Sequence, residues 1–410
     1  MGAERAARLV SDSLEPRIGT DSTFMFSSRG PGNRDPNSFS RAVAAAQTSG
    51  HPPLDLTVSN PTSCGFHYDF DVLAAALGDP AIVRYQPGPL GLQAARDAVV
   101  GRWADRGIAT TPDRVLLTAS TSEAYAFLFK LLCDPGDEVL APQPSYPLFE
   151  LLAGYEAVRL VPCPLRYDGS WHVDLDGMRA ARTSRTRAIL VVSPNNPTGS
   201  YLSRLELRAL LELGLPIICD EVFADYPLRE DPHRARSVLE ATSGLVFALD
   251  GLSKAAALPQ LKLGWITAGG DAALVEQAMS RLEIMADSYL SVGTPVQHAA
   301  PRLLGVCHAM ARSIAERLQR NLRSLTRACA GTAATVLDVE GGWYAVLRLP
   351  AVATEEEWVA ALLDDGVVVQ PGWFFDFSGE PFVVISLLTP EERLRVGADK
   401  IRKRVNRWCG

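Results

Sequence analysis

The chain has 410 residues, 47% of them hydrophobic and 21% charged, and carries a formal net charge of -7 at pH 7. At this length a single core gives way to more than one, so two lobes are expected, and the balance of apolar and charged residues excludes a disordered or fibrous protein. Its 40 basic residues are spread from end to end, which leaves no electrostatic footprint for nucleic acid or an anionic membrane and points to small-molecule partners.

The opening MGAERAARLVSDSLEP lacks the apolar centre of a secretory signal, and Ala6 stands where a myristoylation signal carries Ser or Thr. No later apolar stretch approaches the roughly 20 residues that span a bilayer, so a cytoplasmic location is expected. The seven cysteines form no CxxC pair, and Cys133 and Cys219 lie in apolar runs, as buried free thiols of a reducing compartment would. The six histidines are scattered, and no metal site is expected.

In chain order, residues 1–50 read as an arm rich in Ser, Arg, Gly, Pro and Asn, with a short helical run before the turn GHPP. Residues 51–290 read as a large lobe. Within it, from Arg114 to Ala268, the β-rich runs RVLLT, EVLAP, VRLVP, AILVV, PIICD, LVFAL and LGWITA alternate with helical segments. That alternation predicts an α/β fold with a doubly wound, mostly parallel mixed sheet covered by helices on both faces. Leu92, Ala95, Val99 and Trp103 mark the buried stripe of one such helix.

Residues 291–410 read as a smaller α+β lobe, completed by the N-terminal segment, in which WYAVLRL and FVVISLL flank helical EEEWVAALLDD. The last helix is expected to start at Thr389-Pro390-Glu391-Glu392, with Thr389 as cap. Leu394, Ala398, Ile401, Val405 and Trp408 form its apolar face.

Lys254 follows the apolar run LVFALDG among small and apolar residues. Taken alone it is a solvated loop lysine, but desolvation there would yield a neutral, nucleophilic amine. Asp220 ends the apolar run PIICD, where ligand sites of open α/β sheets collect, and a carboxylate there can keep a pyridine nitrogen protonated. Asn196 lies in the turn SPNNPTG, a common turn sequence in its own right. Ser120, Thr121 and Ser122 run from a strand into a helix, which could cap the helix or hold a phosphate. Tyr146, in the turn PSYP, can lie on a flat ring or simply pack.

The order of these motifs, from Tyr85-Gln-Pro87-Gly88-Pro-Leu-Gly91 through SPNNPTG, CDEVFADY and GLSKAAALPQLKLGW to GGWYAVLRLP, resembles the class I/II aminotransferases of fold type I over roughly residues 50–400. The resemblance implies pyridoxal 5′-phosphate as cofactor, with Lys254 as Schiff-base lysine and proton carrier. It makes Asp220 the pyridine-nitrogen partner, Asn196 the donor to the phenolic oxygen and Tyr146 the stacking ring. Thr121, Ser122 and Lys262 would hold the phosphate with Tyr85 of a partner subunit, which requires a homodimer, and Ser253 would also contact the cofactor. Asn60 and Phe223 are candidates for contact with substrate, and Trp343, Tyr344, Trp373 and Phe374 for pocket walls, although at least two of these should pack within the small lobe.

Three positions depart from the family pattern. Gly251 replaces a phosphate-binding serine, and Lys262 replaces an arginine, so the charge remains without the bidentate fork. Phe223 replaces a tyrosine and removes one hydrogen bond to the phenolic oxygen. Val384 stands where an arginine clamps the substrate α-carboxylate, a charge-assisted contact that valine cannot make. Either the substrate lacks a carboxylate at that locus, or another cation such as Arg29 or Arg34 supplies the contact. The resemblance therefore implies an aminotransferase acting on a small-molecule amino donor and oxo acceptor. Decarboxylation, elimination or carbon-carbon bond formation on the same cofactor is the alternative. A cofactor-binding sensor lacks an effector module here, and a nicotinamide enzyme lacks GxGxxG after a strand.

Overall fold

The computed structural model describes residues 27, 29–30, 35–48 and 50–410. Most of the expected arm, including Arg34, lies outside the described residues; within it, Ser38–Gln47 forms the short helix, capped by the Asn37 side chain.

Each of the seven β-rich runs forms a strand. After a two-residue strand, β1 (Leu54–Asp55), come β2 (Val115–Thr118), β3 (Glu138–Gln143), β4 (Arg159–Tyr167), β5 (Trp171–Val173), β6 (Thr186–Val192), β7 (Ile217–Asp220), β8 (Leu245–Gly251) and β9 (Gly264–Gly270). The last eight make one sheet in the order β2-β9-β8-β7-β6-β3-β4-β5. Pairing is parallel through β4-β3-β6-β7-β8. β9 runs antiparallel to both β8 and β2. A strand placed head-down between two others leaves those two pointing the same way, so β2, β8, β7, β6, β3 and β4 all end at one edge. In a doubly wound sheet that edge is where ligands bind.

Alternation along the strands divides the core. Ile217, Cys219, Val246 and Ala248 face a layer that includes Ala95, Val99 and Trp103 of the Gln93–Asp105 helix. Ile218, Phe247 and Leu249 face the opposite layer, with Leu128 of the Thr121–Leu132 helix and Leu282 of the Ala272–Asp287 helix. Strands buried on both faces read as continuous apolar runs, which is why they stood out in the sequence.

The helix Thr294–Cys329 joins the two lobes, with Ala299, Ala300 and Leu303 in the first core and Ile314, Leu318 and Leu325 in a third. Beyond it lie β10 (Thr335–Val336), β11 (Tyr344–Arg348), β12 (Val367–Val368), β13 (Gln370–Pro371) and β14 (Phe382–Ser386). The order β10-β11-β14-β13 makes a small sheet, covered by the helices Glu355–Asp364 and Glu391–Cys409. β1 pairs in parallel with β12, which ties the N-terminal segment to the C-terminal one.

The last helix begins one residue later than its cap signal suggested. Pro390 occupies the N-cap, and Thr389 Oγ1 donates instead to Ser386 O at 2.9 Å. The cysteines are also less uniform than expected: Cys219 is buried, Cys133 is intermediate and Cys409 is exposed.

The buried stripe of the Gln93–Asp105 helix also carries Arg102. Its guanidinium bonds to Asp250 Oδ2 through Nε at 3.1 Å and Nη2 at 2.9 Å, and pairs with Asp225. Arg106 reaches Glu221 Oε2 at 2.9 Å, and Glu221 Oε1 accepts from Ser237 Oγ and Val238 N. These pairs brace the end of β8 and the segment that follows β7. Asp250 is 0% exposed, so losing its partner strands a charge in the core. Arg102→Leu is expected to lower the unfolding free energy by roughly 3–5 kcal/mol, read from urea denaturation midpoints; a change under about 1 kcal/mol would show that the brace contributes little.

Candidate active site

The C-terminal strand edge gathers the chemistry. β8 leads directly into a single helical turn, Leu252–Ala255, that presents Lys254. The turn is held by Leu252 N donating to Leu263 O at 2.9 Å and by Tyr226 Oη donating to Lys254 O at 2.5 Å. Lys254 Nζ lies 4.5 Å from the Trp343 ring centroid and 5.3 Å from that of Phe223. Burial lowers its pKa from the ordinary 10.5 to about 8, and the nearby Asp220 carboxylate pulls it partly back.

Asp220, at the end of β7, is 7% exposed. Its Oδ1 accepts from Val222 N at 3.1 Å and its Oδ2 from Tyr125 Oη at 2.9 Å. Burial pushes its pKa up to about 6, opposed by those two donors and by Lys254, while Asp250 adds to the rise. Tyr125 escaped the sequence reading. The available signal was a tyrosine on the buried face of a helix, where its O–H needs a partner.

β6 delivers the SPNNPTG turn. Asn195 Nδ2 donates to Pro144 O at 3.1 Å, joining this turn to the one that carries Tyr146. Asn195 Oδ1, Asn196 Oδ1 and Ser145 Oγ are buried with no hydrogen-bond partner. Gly199 sits at φ 75°, and a side chain there would come within 2.5 Å of Gly341 O, so this turn presses backbone against the small lobe. Tyr146 is largely enclosed and packs edge-on to Phe149.

At the end of β2, Ser120 caps the Thr121–Leu132 helix by accepting from Glu123 N at 3.2 Å. First-turn N–H groups have no acceptor within a helix, which leaves those of Thr121 and Ser122 available to an anion. Glu123 Oε2 holds the turn by accepting from Ala119 N and Ser291 Oγ, both at 2.7 Å. Gly264 lies against this turn: a side chain there would meet Ser120 C at 3.0 Å and Thr121 N at 3.1 Å. Lys262, two residues earlier, is exposed with φ 51°.

The small lobe closes the other side. Trp343 is fully buried, Tyr344 lies 6.2 Å from Phe223, and Ser145 N donates to Phe375 O at 3.0 Å. Trp373 and Phe374 stack edge-on at 4.2 Å, and Phe374 meets Phe39. Ser253 is half-buried beside Lys254.

Other candidates stand apart from this cluster. Asn60 is exposed and directs its Oδ1 to Thr62 N and Oγ1. Tyr85 is 77% exposed. Arg29 is exposed and bonds to Ser27 Oγ and Tyr155 O. Val384 is fully buried in the apolar core of the small lobe.

Gly251 has a steric explanation. A side chain there would meet Leu263 O at 2.9 Å and Gly264 Cα at 3.0 Å, both backbone atoms of the adjacent segment. Gly251→Ser should therefore cost about 1–3 kcal/mol of stability in thermal or urea unfolding; unchanged stability would show that β9 yields easily.

Asp220 titrates with a folded pKa of about 6, above its ordinary 3.8, so the folded state holds the extra proton more tightly. Its burial costs nothing below pH 4, and the cost grows as pH rises to 6 and then levels. Asp220→Asn should gain roughly 2–3 kcal/mol at pH 7.5 and almost nothing at pH 4, measured by urea unfolding at both; equal gains would refute the assignment.

Comparison with known proteins agrees with this fold. Residues 55–401 match the family model for aminotransferase class I and II. Glutamate-pyruvate aminotransferase AlaA of Escherichia coli (strain K12) is 28% identical over 264 residues, 63% of this chain and 65% of its own, so the match spans just under two thirds of that relative. Arginine–pyruvate transaminase AruH of Pseudomonas aeruginosa is 30% identical over 76% of this chain and 80% of its own. Among solved structures, an alanine aminotransferase from Pyrococcus furiosus superposes with a TM-score of 0.81 at 25% identity, covering 90% of this chain and 95% of that one. A Thermus thermophilus aspartate aminotransferase mutant gives 0.80 at 24% identity, over 92% and 99%, and so shares the fold. By its motifs, its sheet order and these matches, the chain belongs to the class I and II aminotransferase family.

Proposed function

We propose that this protein is an aminotransferase that uses pyridoxal 5′-phosphate held on Lys254. The observation that carries the reading is a lysine amine set against the Trp343 and Phe223 rings, at the strand edge that also holds the buried carboxylate of Asp220. The surrounding residues fit the cofactor. Asn196 lies buried at the same strand edge, and a first-turn helix terminus offers N–H groups to a phosphate. In this reading Asp220 pairs with the pyridine nitrogen, Asn196 faces the phenolic oxygen and Tyr146 stacks on the ring. Thr121, Ser122, Lys262 and Ser253 contact the phosphate end. Tyr85 of a partner subunit completes the phosphate site in a homodimer, supported by its exposure near exposed Leu290, with which it lines one surface cavity.

When bound, the cofactor supplies an aldehyde carbon open to amines and a protonated ring that withdraws electrons. The chain's own residues do the rest. Lys254 Nζ, neutral more readily than an ordinary lysine, would hold the cofactor and, with a donor bound, would take the proton from the substrate α-carbon. Tyr125 Oη and Val222 N–H keep Asp220 oriented and favour its ionised form. Trp343, Phe223 and Tyr344 exclude water around Nζ.

The reading also includes the division into an N-terminal arm over residues 1–50, a cofactor lobe over 51–290 and a small lobe over 291–410. The substrate is a small-molecule amino donor with an oxo acceptor, bound without a guanidinium at Val384. Pyruvate is the first acceptor to try, since it appears in the names of two relatives.

The absorption spectrum of wild type and Lys254→Ala with added pyridoxal phosphate, followed by amines and amino acids, tests the reading. A visible band should form only in wild type, with a pH midpoint for combination near 8, and be bleached by a donor and restored by an oxo acid. A band that forms without Lys254 would overturn the assignment. A band that no donor bleaches would favour another reaction on the same cofactor.

A further inference from the structure

A single buried turn of helix ends in carbonyl groups that its own amides do not satisfy well. Beyond Leu252–Ala255, Ala257 N reaches Lys254 O at 3.3 Å, a long bond, and Ala257 itself takes φ 54°, a left-handed conformation that a residue with a side chain holds only with outside support. Two tyrosine hydroxyls from distant segments supply it. Tyr226 Oη donates to Lys254 O at 2.5 Å, and Tyr68 Oη donates to Ala257 O at 2.8 Å.

Tyr226 is linked to both ends of Lys254. Its hydroxyl takes the backbone carbonyl, while its ring lies 5.3 Å from the Trp343 ring, whose centroid is in turn 4.5 Å from Nζ. Tyr226 and Trp343 are both 0% exposed, so this closed circuit of contacts is fixed by packing on every side. The main chain around Tyr226 is fastened to the small lobe: Tyr226 O accepts from Gly342 N at 3.0 Å, and Leu228 N donates to Glu340 O at 2.8 Å. Tyr68 has a similar footing. Upstream of it, Leu56 O and Val58 O accept from Ser386 N and Oγ at 2.8 and 2.5 Å, and Cys64 O accepts from Arg317 Nη1 at 2.5 Å. The segment that carries Tyr68 is thereby tied to the small sheet and to the long helix.

We infer that Tyr226 and Tyr68 are positioning residues that clamp the Lys254 turn to the small lobe and so fix where Nζ stands for proton transfer. Each acts through a backbone carbonyl rather than on the reacting atoms. Without the Tyr226 hydroxyl the Trp343 ring remains, but the main-chain end of the lysine is released and Nζ loses its fixed place on that ring. What Nζ does once positioned rests on the aminotransferase reading; the clamp does not.

Tyr226→Phe and Tyr68→Phe each remove one oxygen, and hydrogen exchange of the full chain, followed by mass spectrometry, reads the clamp without cofactor. Amides of residues 252–258 should exchange about tenfold faster in Tyr226→Phe and severalfold faster in Tyr68→Phe, while those of β3 keep the wild-type rate. With pyridoxal phosphate added, the pH midpoint for combination should rise by roughly 0.5 or more toward the ordinary lysine value, because a looser turn admits water to Nζ. With a donor that the wild type accepts, kcat should fall severalfold at little-changed KM, and deuterium at the donor's α-carbon should slow the variants more than the wild type. Should Tyr226→Phe fail to fold, Tyr68→Phe carries the test alone. Exchange at 252–258 that stays at the wild-type rate, or that quickens equally in β3, would overturn the clamp, as would a midpoint and an isotope effect that both stay at wild-type values. If the wild type forms no Lys254-dependent band, or no donor bleaches it, the aminotransferase reading falls and the exchange rates alone decide the clamp.

Discussion

A lysine amine is nucleophilic only without its extra proton, and in water it keeps that proton far above neutral pH. Everything distinctive about this molecule's sheet edge follows from lowering that threshold at one residue. Lys254 sits on a one-turn helix between β8 and the segment that leads to β9, with Trp343 and Phe223 against its amine. Low polarity favours the neutral amine, and a single carboxylate, Asp220, limits the shift to about 8. The balance is mutual. Asp220 is itself raised to about 6, and ionises as readily as it does because Tyr125 and Val222 donate to it. One burial event thus moves both groups toward neutral pH, the lysine down and the aspartate up.

Such burial needs two lobes. The large sheet brings six strand ends to one edge, but an edge alone is open to water. The small lobe supplies Trp343 and Tyr344, and it makes close backbone contact at Gly199 and Gly341, where only glycine fits. The long Thr294–Cys329 helix belongs to both cores, so it couples the position of the small sheet to that of the large one.

The departures from the family pattern have different physical origins. At Gly251 the neighbouring strand has closed in, and no side chain can return without moving Leu263 and Gly264. At Val384 the side chain has become part of an apolar core. In the proposed reading, the first change bears on how the phosphate end is anchored, and the second on what kind of substrate is held.

Much of this was legible before any fold was known. The large-lobe strands are buried on both faces, so each read as an unbroken apolar run, and the residues after them fell at the ligand-binding edge by the logic of parallel sheets. Lys254 and Asp220 drew attention that way, whereas the roles suggested for Asn196 and Tyr146 came from the family resemblance. Two-residue strands such as β12 and β13 carry too few residues to show a period, and with them went the register that sets Gln370 beside Val384. Tyr125 and Arg102 looked like an ordinary aromatic and an ordinary cation on helices, because their partners lie 95 and 148 residues away. The sequence by itself determined which groups could do chemistry and on which strand ends they sit, since side-chain type and local periodicity are properties of neighbouring residues. Only the tertiary structure decided their protonation and their reach, because desolvation and hydrogen bonding depend on residues that meet through folding.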